Sequence, residues 1–246
     1  MFAKLELELK PEKGEQFSWQ KAVLLQGILM EQVDMEYANE LHKSALHPYS
    51  QSVSQQDGEN IWTICTTNEE AYEHVISPLQ SSKFKEFYLQ YYNWKVSVGR
   101  KELLQLESND FMDQYYFTNA NRYIKIQFQT PTAFKRRGEY VFFPDLPLIY
   151  QSLMNKYDAA SQKETVVNEE VLEQLVQYSK VVQYRLRSCH YSVHGAKIPA
   201  FMGEITIRVS GPQAMVNFIN MLLHFGEYSG VGIKAAMGMG HLKVLE

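Results

Sequence analysis

Gly230-Val-Gly-Ile-Lys-Ala-Ala-Met-Gly-Met-Gly240 joins an apolar helix, opened by Gly211-Pro212 and running to about Phe225, to a final strand, His241 to Leu245. Four glycines in eleven residues let a backbone adopt positive φ and approach another group closely. Two uses fit this composition. Backbone N–H groups around Gly230, Gly232, Gly238 and Gly240 hold phosphate oxygens while Lys234 adds a positive charge, or the stretch is a connector packed under a sheet. It is not a Walker loop, because no Gly-Lys-Ser/Thr occurs, and it is not a GxGxxG turn after a strand. Nothing here supports a nucleotide cofactor.

Outward from this segment, the second half reads as a strand from Tyr123 to Gln129, a helix near Leu146 to Tyr157 and a helix capped by Asn168 with Lys180 late. Strands at Val181 to Arg187 and Glu204 to Val209 then lead into the apolar helix, the glycine stretch and the last strand. The first half has a matching order. Ala3 to Leu9 alternates with Leu5, Leu7 and Leu9 on one face, and Ser18 caps a helix from Trp19 to Val33. A short helix follows from the cap Asp34 through Tyr37 to His42, stopped by Pro48. Next come a strand from Ile61 to Thr66, a helix from Asn68 to Val75, and one or two strands around Gly99 between Phe87 and Leu106. Asp110 to Asn121 is turn-like and divides residues 1–118 from 119–246. The expected class is α+β, in two units with helices on one face of an antiparallel sheet.

Composition agrees with a folded chain. Of 246 residues 45% are apolar and 21% charged, close to globular averages. Cys65 and Cys189 lie far apart, which leaves no CxxC pair for zinc and no disulfide framework, and fits a reduced, cytoplasmic protein. The start, Met-Phe-Ala-Lys-Leu-Glu-Leu-Glu, lacks an apolar run of signal length, and no stretch of about 18 apolar residues follows. No membrane is expected. The net charge of −4 hides an asymmetry of −8 in residues 1–118 against +4 in 119–246, so the second half is the candidate for an anionic partner.

His42 and His47 flank the end of the proposed second helix. A helix C-terminus favours imidazolium, and histidine titrates where general acid/base catalysis needs it. Neither HExxH nor a carboxylate and cysteine set surrounds them, so a metal-free mechanism fits better. Thr130-Pro-Thr-Ala-Phe-Lys-Arg-Arg-Gly138 sets Phe134 beside three cations after a strand. Lys135, Arg136 and Arg137 suit phosphate contact and Phe134 base stacking; a solvated basic loop is the alternative. The aromatic run from Phe84 to Trp94 reads as sheet core and cross-strand pairing, with nucleobase stacking as the other use. No GxSxG nucleophile occurs. His42-Lys-Ser44 and His190-Tyr-Ser192 match the H-x-S/T pattern of two-histidine phosphoesterases, at a frequency chance alone supplies.

Five stretches carry a resemblance, and they occur in order along nearly the whole chain: Leu25-Gln-Gly-Ile-Leu29; Ala38-Asn-Glu-Leu-His42 with Pro48-Tyr-Ser50; Thr130-Pro-Thr-Ala-Phe134; Gly195-Ala-Lys-Ile-Pro-Ala-Phe-Met-Gly203; and the Gly230 to Gly240 loop. In this order they resemble the CRISPR-associated repeat-processing endoribonucleases of the repeat-associated ferredoxin-like superfamily, whose most characteristic feature is a C-terminal glycine loop. The resemblance implies two tandem ferredoxin-like (RRM-like) domains with antiparallel sheets. It also implies CRISPR repeat RNA as substrate, cleaved once per repeat without metal or cofactor to leave a 2′,3′-cyclic phosphate.

The histidine of the family's Leu-His step falls on His42, the proton-transfer residue on this reading. Some members carry a tyrosine late in the first helix and a lysine after the histidine; here those places hold Met30 and His47, with Tyr37 or Lys43 as substitutes. His47 or Lys43 then assists, while Lys234 and the glycine loop position RNA. A non-catalytic RNA-binding subunit of an RNA-guided effector complex is the alternative, for which His42 has no use. Other CRISPR effector proteins are the further partners implied, and the protein is expected as a monomer or homodimer.

Overall fold

The computed structural model describes residues 1–161, 165–193 and 195–245. Its first sheet is built on β1 (Phe2–Pro11), where Ala3, Leu5 and Leu7 are fully buried. β1 pairs antiparallel with β3 (Glu59–Thr66) on one side and β5 (Trp94–Leu106) on the other, with Leu5 opposite Ile64 and Leu103. β2 (Tyr49–Gln56) and β4 (Glu86–Leu89) form the edges, in the order β2-β3-β1-β5-β4. The second sheet runs β11-β6-β10-β9, from β6 (Tyr123–Thr132), β9 (Ser179–Val193), β10 (Ala196–Val209) and β11 (Leu242–Leu245), again antiparallel. In both sheets a late strand lies beside the first, the first beside the third and the third beside the second of the unit. That shared order makes the chain a tandem of ferredoxin-like folds.

One face of each sheet carries the helices because only one face is apolar. α1 (Ala22–Gln32) and the helical run α3 (69–80) set Leu25, Leu29, Val75 and Leu79 against Leu5, Leu7 and Leu9. α5 (Leu146–Ala160) and α7 (Gln213–Ser229) set Ile149, Leu153, Ile219 and Leu222 against Ile126, Phe128 and Ile205. Each such fully buried side chain contributes roughly 1.5–3 kcal/mol. The cores meet at Phe2, whose ring lies tilted against Phe111 of α4 (Ser108–Tyr115), centroids 4.6 Å apart, within the second core.

Several expectations are corrected. β2 is a full strand where the sequence pattern predicts no element, because Tyr-Ser-Gln-Ser-Val-Ser-Gln-Gln is too polar to read as a partly buried strand. The turn-like stretch after Asp110 contains part of α4, held by the buried Phe111. The break between β4 and β5 falls at a turn over Gln90–Tyr92 with Asn93 in the left-handed region, whereas Gly99 lies inside β5 against the Glu8 carboxylate. Ser18 makes no side-chain cap bond, and Lys180 lies in β9 beyond α6 (Glu169–Gln177). α2 (Met35–Lys43) ends well before Pro48, at Ser44, whose N–H bonds the Glu40 and Leu41 carbonyls. Among the described residues no helix is long and apolar enough to cross a membrane.

Candidate active site

α2 is held in place at its N-terminal end. The Asp34 carboxylate accepts the Tyr37 N–H at 2.9 Å and takes His74 Nδ1 at 2.5 Å, while the Tyr37 ring stacks on His74 at 4.4 Å. Tyr37 and Leu41, four residues apart, are the buried pair, so the His42 side chain in the last turn is exposed. His42 Nδ1 lies 2.6 Å from the Ala38 carbonyl and so carries the proton there, which leaves Nε2 as the ring nitrogen open to solvent. Lys43, next in line, is exposed.

Beyond Ser44 the chain turns back into β2, and His47 sits half-buried at that turn, tilted against Tyr49 at 5.6 Å. His47 Nδ1 is buried and makes no hydrogen bond. Burial pulls the His47 imidazole below the usual histidine range, and the positive charges of His42, Lys234 and Lys156 act in the same direction. Neutral imidazole is thus its resting form at neutral pH. His47 lines a cleft of about 210 Å³ whose other walls are Tyr37 and Glu40 of α2, Glu70 at the start of α3, and Lys156 of α5. Burial and the Glu70, Glu40 and Asp34 carboxylates push the Tyr37 hydroxyl well above its ordinary value, so Tyr37 keeps its proton through neutrality where it walls the cleft.

The glycine loop arrives from the other half. Its amides are mostly spent on the protein: Gly230 N–H bonds Gly226 O, Val231 bonds Gly240 O, Gly232 bonds Ser152 Oγ, Ile233 bonds Ala133 O and Gly240 bonds Pro131 O. A Cβ at Gly240 would sit 2.0 Å from the Val231 carbonyl oxygen, and one at Gly238 would sit 2.3 Å from Ala22 Cβ. What approaches these glycines closely is the chain itself, and the connector reading is the one observed. The first half grips the loop as well, since Gln51 Nε2 bonds Ala236 O at 2.9 Å and Ser50 Oγ bonds Tyr228 O at 2.6 Å. From the second half, the Tyr191 hydroxyl bonds Met237 O. Within this loop, whose residues are all described, only the tip amides of Lys234, Ala235 and Ala236 make no internal hydrogen bond. Lys234, in the left-handed region and exposed, projects from that tip.

The basic stretch forms a small hairpin, β7 (Phe134–Arg136) with β8 (Glu139–Val141), turned at Arg137-Gly138. It adjoins the loop through the Ile233 to Ala133 bond. Lys135, Arg136 and Arg137 are exposed; Arg136 pairs with Asp145 at 3.2 Å, and Lys135 Nζ lies 5.9 Å from the Tyr140 ring centre. Phe134 is 3% exposed and packs at the second core, so base stacking by Phe134 is corrected: alternation in the strand turns it inward. The aromatic rings exposed there are Tyr140, Phe142 and Phe143. Of the aromatic run in the first half, Phe84 is core, whereas Tyr91 is largely exposed.

Sequence reasoning missed Lys156, which donates to the Ser229 and Gly230 carbonyls at 3.1 and 2.9 Å. A signal for it exists: it stands three residues after Leu153 and seven after Ile149, a charge on the apolar stripe of its helix. Among the described residues no three His, Cys, Asp or Glu side chains are grouped to hold a metal ion.

Tandem ferredoxin-like sheets locked through a glycine loop, with histidines of the first half and lysines of the second near their seam, define the class of fold and its candidate site. The family model described as CRISPR-associated endoribonuclease Cas6 matches residues 126–242. The CRISPR-associated endoribonuclease Cas6 of Streptococcus thermophilus is 36% identical over 225 residues, 92% of this chain and 91% of that protein. The Mycobacterium tuberculosis protein of the same description is 35% identical over 221 residues, 89% of this chain and 70% of that one. A Thermus thermophilus Cas6 product complex matches the whole fold with a TM-score of 0.78 at 22% identity, covering all of both chains. The chain belongs to the CRISPR-associated endoribonuclease Cas6 family, and it is an endoribonuclease.

Proposed function

We propose that this protein cleaves CRISPR repeat RNA to release guide RNAs, without a metal, by in-line attack of a ribose 2′-hydroxyl on the adjacent phosphate. The attack expels the 5′-oxygen of the next nucleotide and closes a 2′,3′-cyclic phosphate. One observation carries this reading: His47 of the first half and Lys156 of the second line one cleft, and the positive charges of His42, Lys234 and Lys156 all bear on His47. His47, held neutral, takes the 2′-hydroxyl proton, and His42 returns a proton to the leaving oxygen through Nε2. Lys234 and the free tip amides meet the charge that builds on the phosphorane, with Lys43 close by on α2. His47 therefore has a fuller share of the proton transfer than the sequence alone suggests.

RNA enters this reading along the basic hairpin, where Lys135, Arg136 and Arg137 contact phosphates. The division between the two halves falls, on the same reading, at 118/119, in the link between α4 and β6. Incubating the protein with its repeat RNA in excess EDTA and analysing the product ends tests the reaction. Cleavage with a cyclic phosphate and a 5′-hydroxyl is expected; a strict Mg²⁺ requirement, or a 3′-hydroxyl product, would sink the mechanism.

A further inference from the structure

We propose that Lys156 is a positioning residue for the cleavage reaction, its side-chain amine locking the hinge of the glycine loop so that Lys234 and His47 serve one cleft. This rests on the reading of that cleft as the active site. Lys156 is 8% exposed, on a helix whose neighbouring stripe positions are apolar, and its Nζ reaches the last carbonyl of α7, that of Ser229, and the first of the loop, that of Gly230. These carbonyls end α7, where the helix dipole presents negative charge and favours a cation. The turn out of the helix follows at Gly230, with φ of 63°, and the Val231 to Gly240 bond of 2.8 Å closes the base of the loop directly after it. Ser50 of β2, three residues past His47, holds the preceding carbonyl, that of Tyr228. Consecutive carbonyls at one hinge are thus taken by donors from both halves.

A lysine does more here than an uncharged donor would. The groups that share its cleft are Tyr37 and Glu40 from α2, His47 from the turn into β2 and Glu70 from α3, and its positive charge, like that of Lys234, opposes protonation of His47. Burial pulls the Lys156 ammonium down to about 7, so its charge on His47 is present on the acid side of neutrality, where His47 protonation limits the reaction. Removing the side-chain amine leaves the Ser229 carbonyl without that donor. Among the described residues the Gly230 carbonyl keeps only the Ser229 hydroxyl, at 2.9 Å.

The test uses the full chain with Lys156→Met and Lys156→Arg, measuring single-turnover cleavage of repeat RNA against pH, RNA affinity, and amide hydrogen exchange. Lys156→Met is expected to slow cleavage about 10–100-fold, as a small misplacement of a reacting group does, with affinity within about threefold of the parent. Exchange should quicken across 231–240 and not in the sheets, and the acid limb of the rate profile should move to higher pH. Lys156→Arg, which keeps charge and donors, should recover most of the rate. Unchanged cleavage and loop exchange in Lys156→Met would overturn the proposal, and so would faster exchange throughout the chain with no recovery in Lys156→Arg. A parent that cleaves no repeat RNA would instead remove the reading of the cleft, while loop exchange alone would still decide whether Lys156 locks the hinge.

Discussion

Between His42 and His47 the difference is one of surroundings. His42 hangs from the exposed last turn of α2, its Nδ1 tied to Ala38 and Nε2 open, whereas His47 is sunk beside Tyr49 with Nδ1 buried and unpaired. An acid and a base working on one phosphate need such unlike environments. Each alanine variant should therefore lose about 10²–10⁴ in single-turnover rate, the usual worth of a placed proton-transfer group. His42→Ala removes an exposed side chain and leaves no core cavity, so its fold and RNA affinity should match the parent. Full activity in either variant would remove that histidine from the mechanism. The pH dependence follows from His47. Its folded-state pKa is depressed, so the neutral base survives below the ordinary value of about 6.5 and the acid limb of the parent should lie below it. Residue types make both histidines visible in the sequence; the difference in their roles is not visible there, because it depends first on the burial of His47 in the fold and then on charges that include Lys234 and Lys156, over a hundred residues away.

At the scale of the element, the glycine loop is legible in the sequence as a feature and ambiguous as a function. Spacing announces close approach, but what approaches can be read only once Ala22, Ala133 and Val231 are placed against it. Gly238→Ala offers a direct check, since its φ of 97° is uncommon for an L-residue and the new methyl would meet Ala22 Cβ and the Tyr191 hydroxyl oxygen. Chemical unfolding should register a loss of about 1–3 kcal/mol, as overpacking gives. Gly27→Ala in α1, with nothing within 4 Å of the added methyl, should be neutral or gain up to about 1 kcal/mol. Equal stability of the two variants would refute the packed-connector account. The other elements divide the same way: the alternation of β1 and the Asp34, Asn68 and Asn168 caps are readable because they are local chemistry. β2 is not, since its polar side chains are buried by bonds to distant partners, Gln51 to Trp62 and Ala236 among them.

Over the whole molecule, the two sheets repeat one strand order although no residue-level repeat links the halves, and their charges differ in sign. The first half brings the histidines and a net −8, and the second brings +4 with the hairpin and Lys234, so the polyanion should be held by the second half and presented to the first. Charge asymmetry announces this division in the sequence, while the inward turn of Phe134 and the pairing of Arg136 with Asp145 narrow which groups remain for RNA. Neutralising Lys135, Arg136, Arg137 and Lys234 together should weaken binding of repeat RNA and flatten its salt dependence. The logarithmic slope should fall by about 0.7 for each phosphate that is no longer neutralised, or nearly 3 if all four cations contribute. Arg136 should account for the smallest share, since it must leave Asp145 to reach a phosphate. The measurement is binding affinity at several salt concentrations with the four single variants beside the quadruple one. An unchanged slope in the quadruple variant would mean that the RNA follows another face, and the open side of the second sheet, where Lys125 and Arg208 lie, would be the next surface to neutralise.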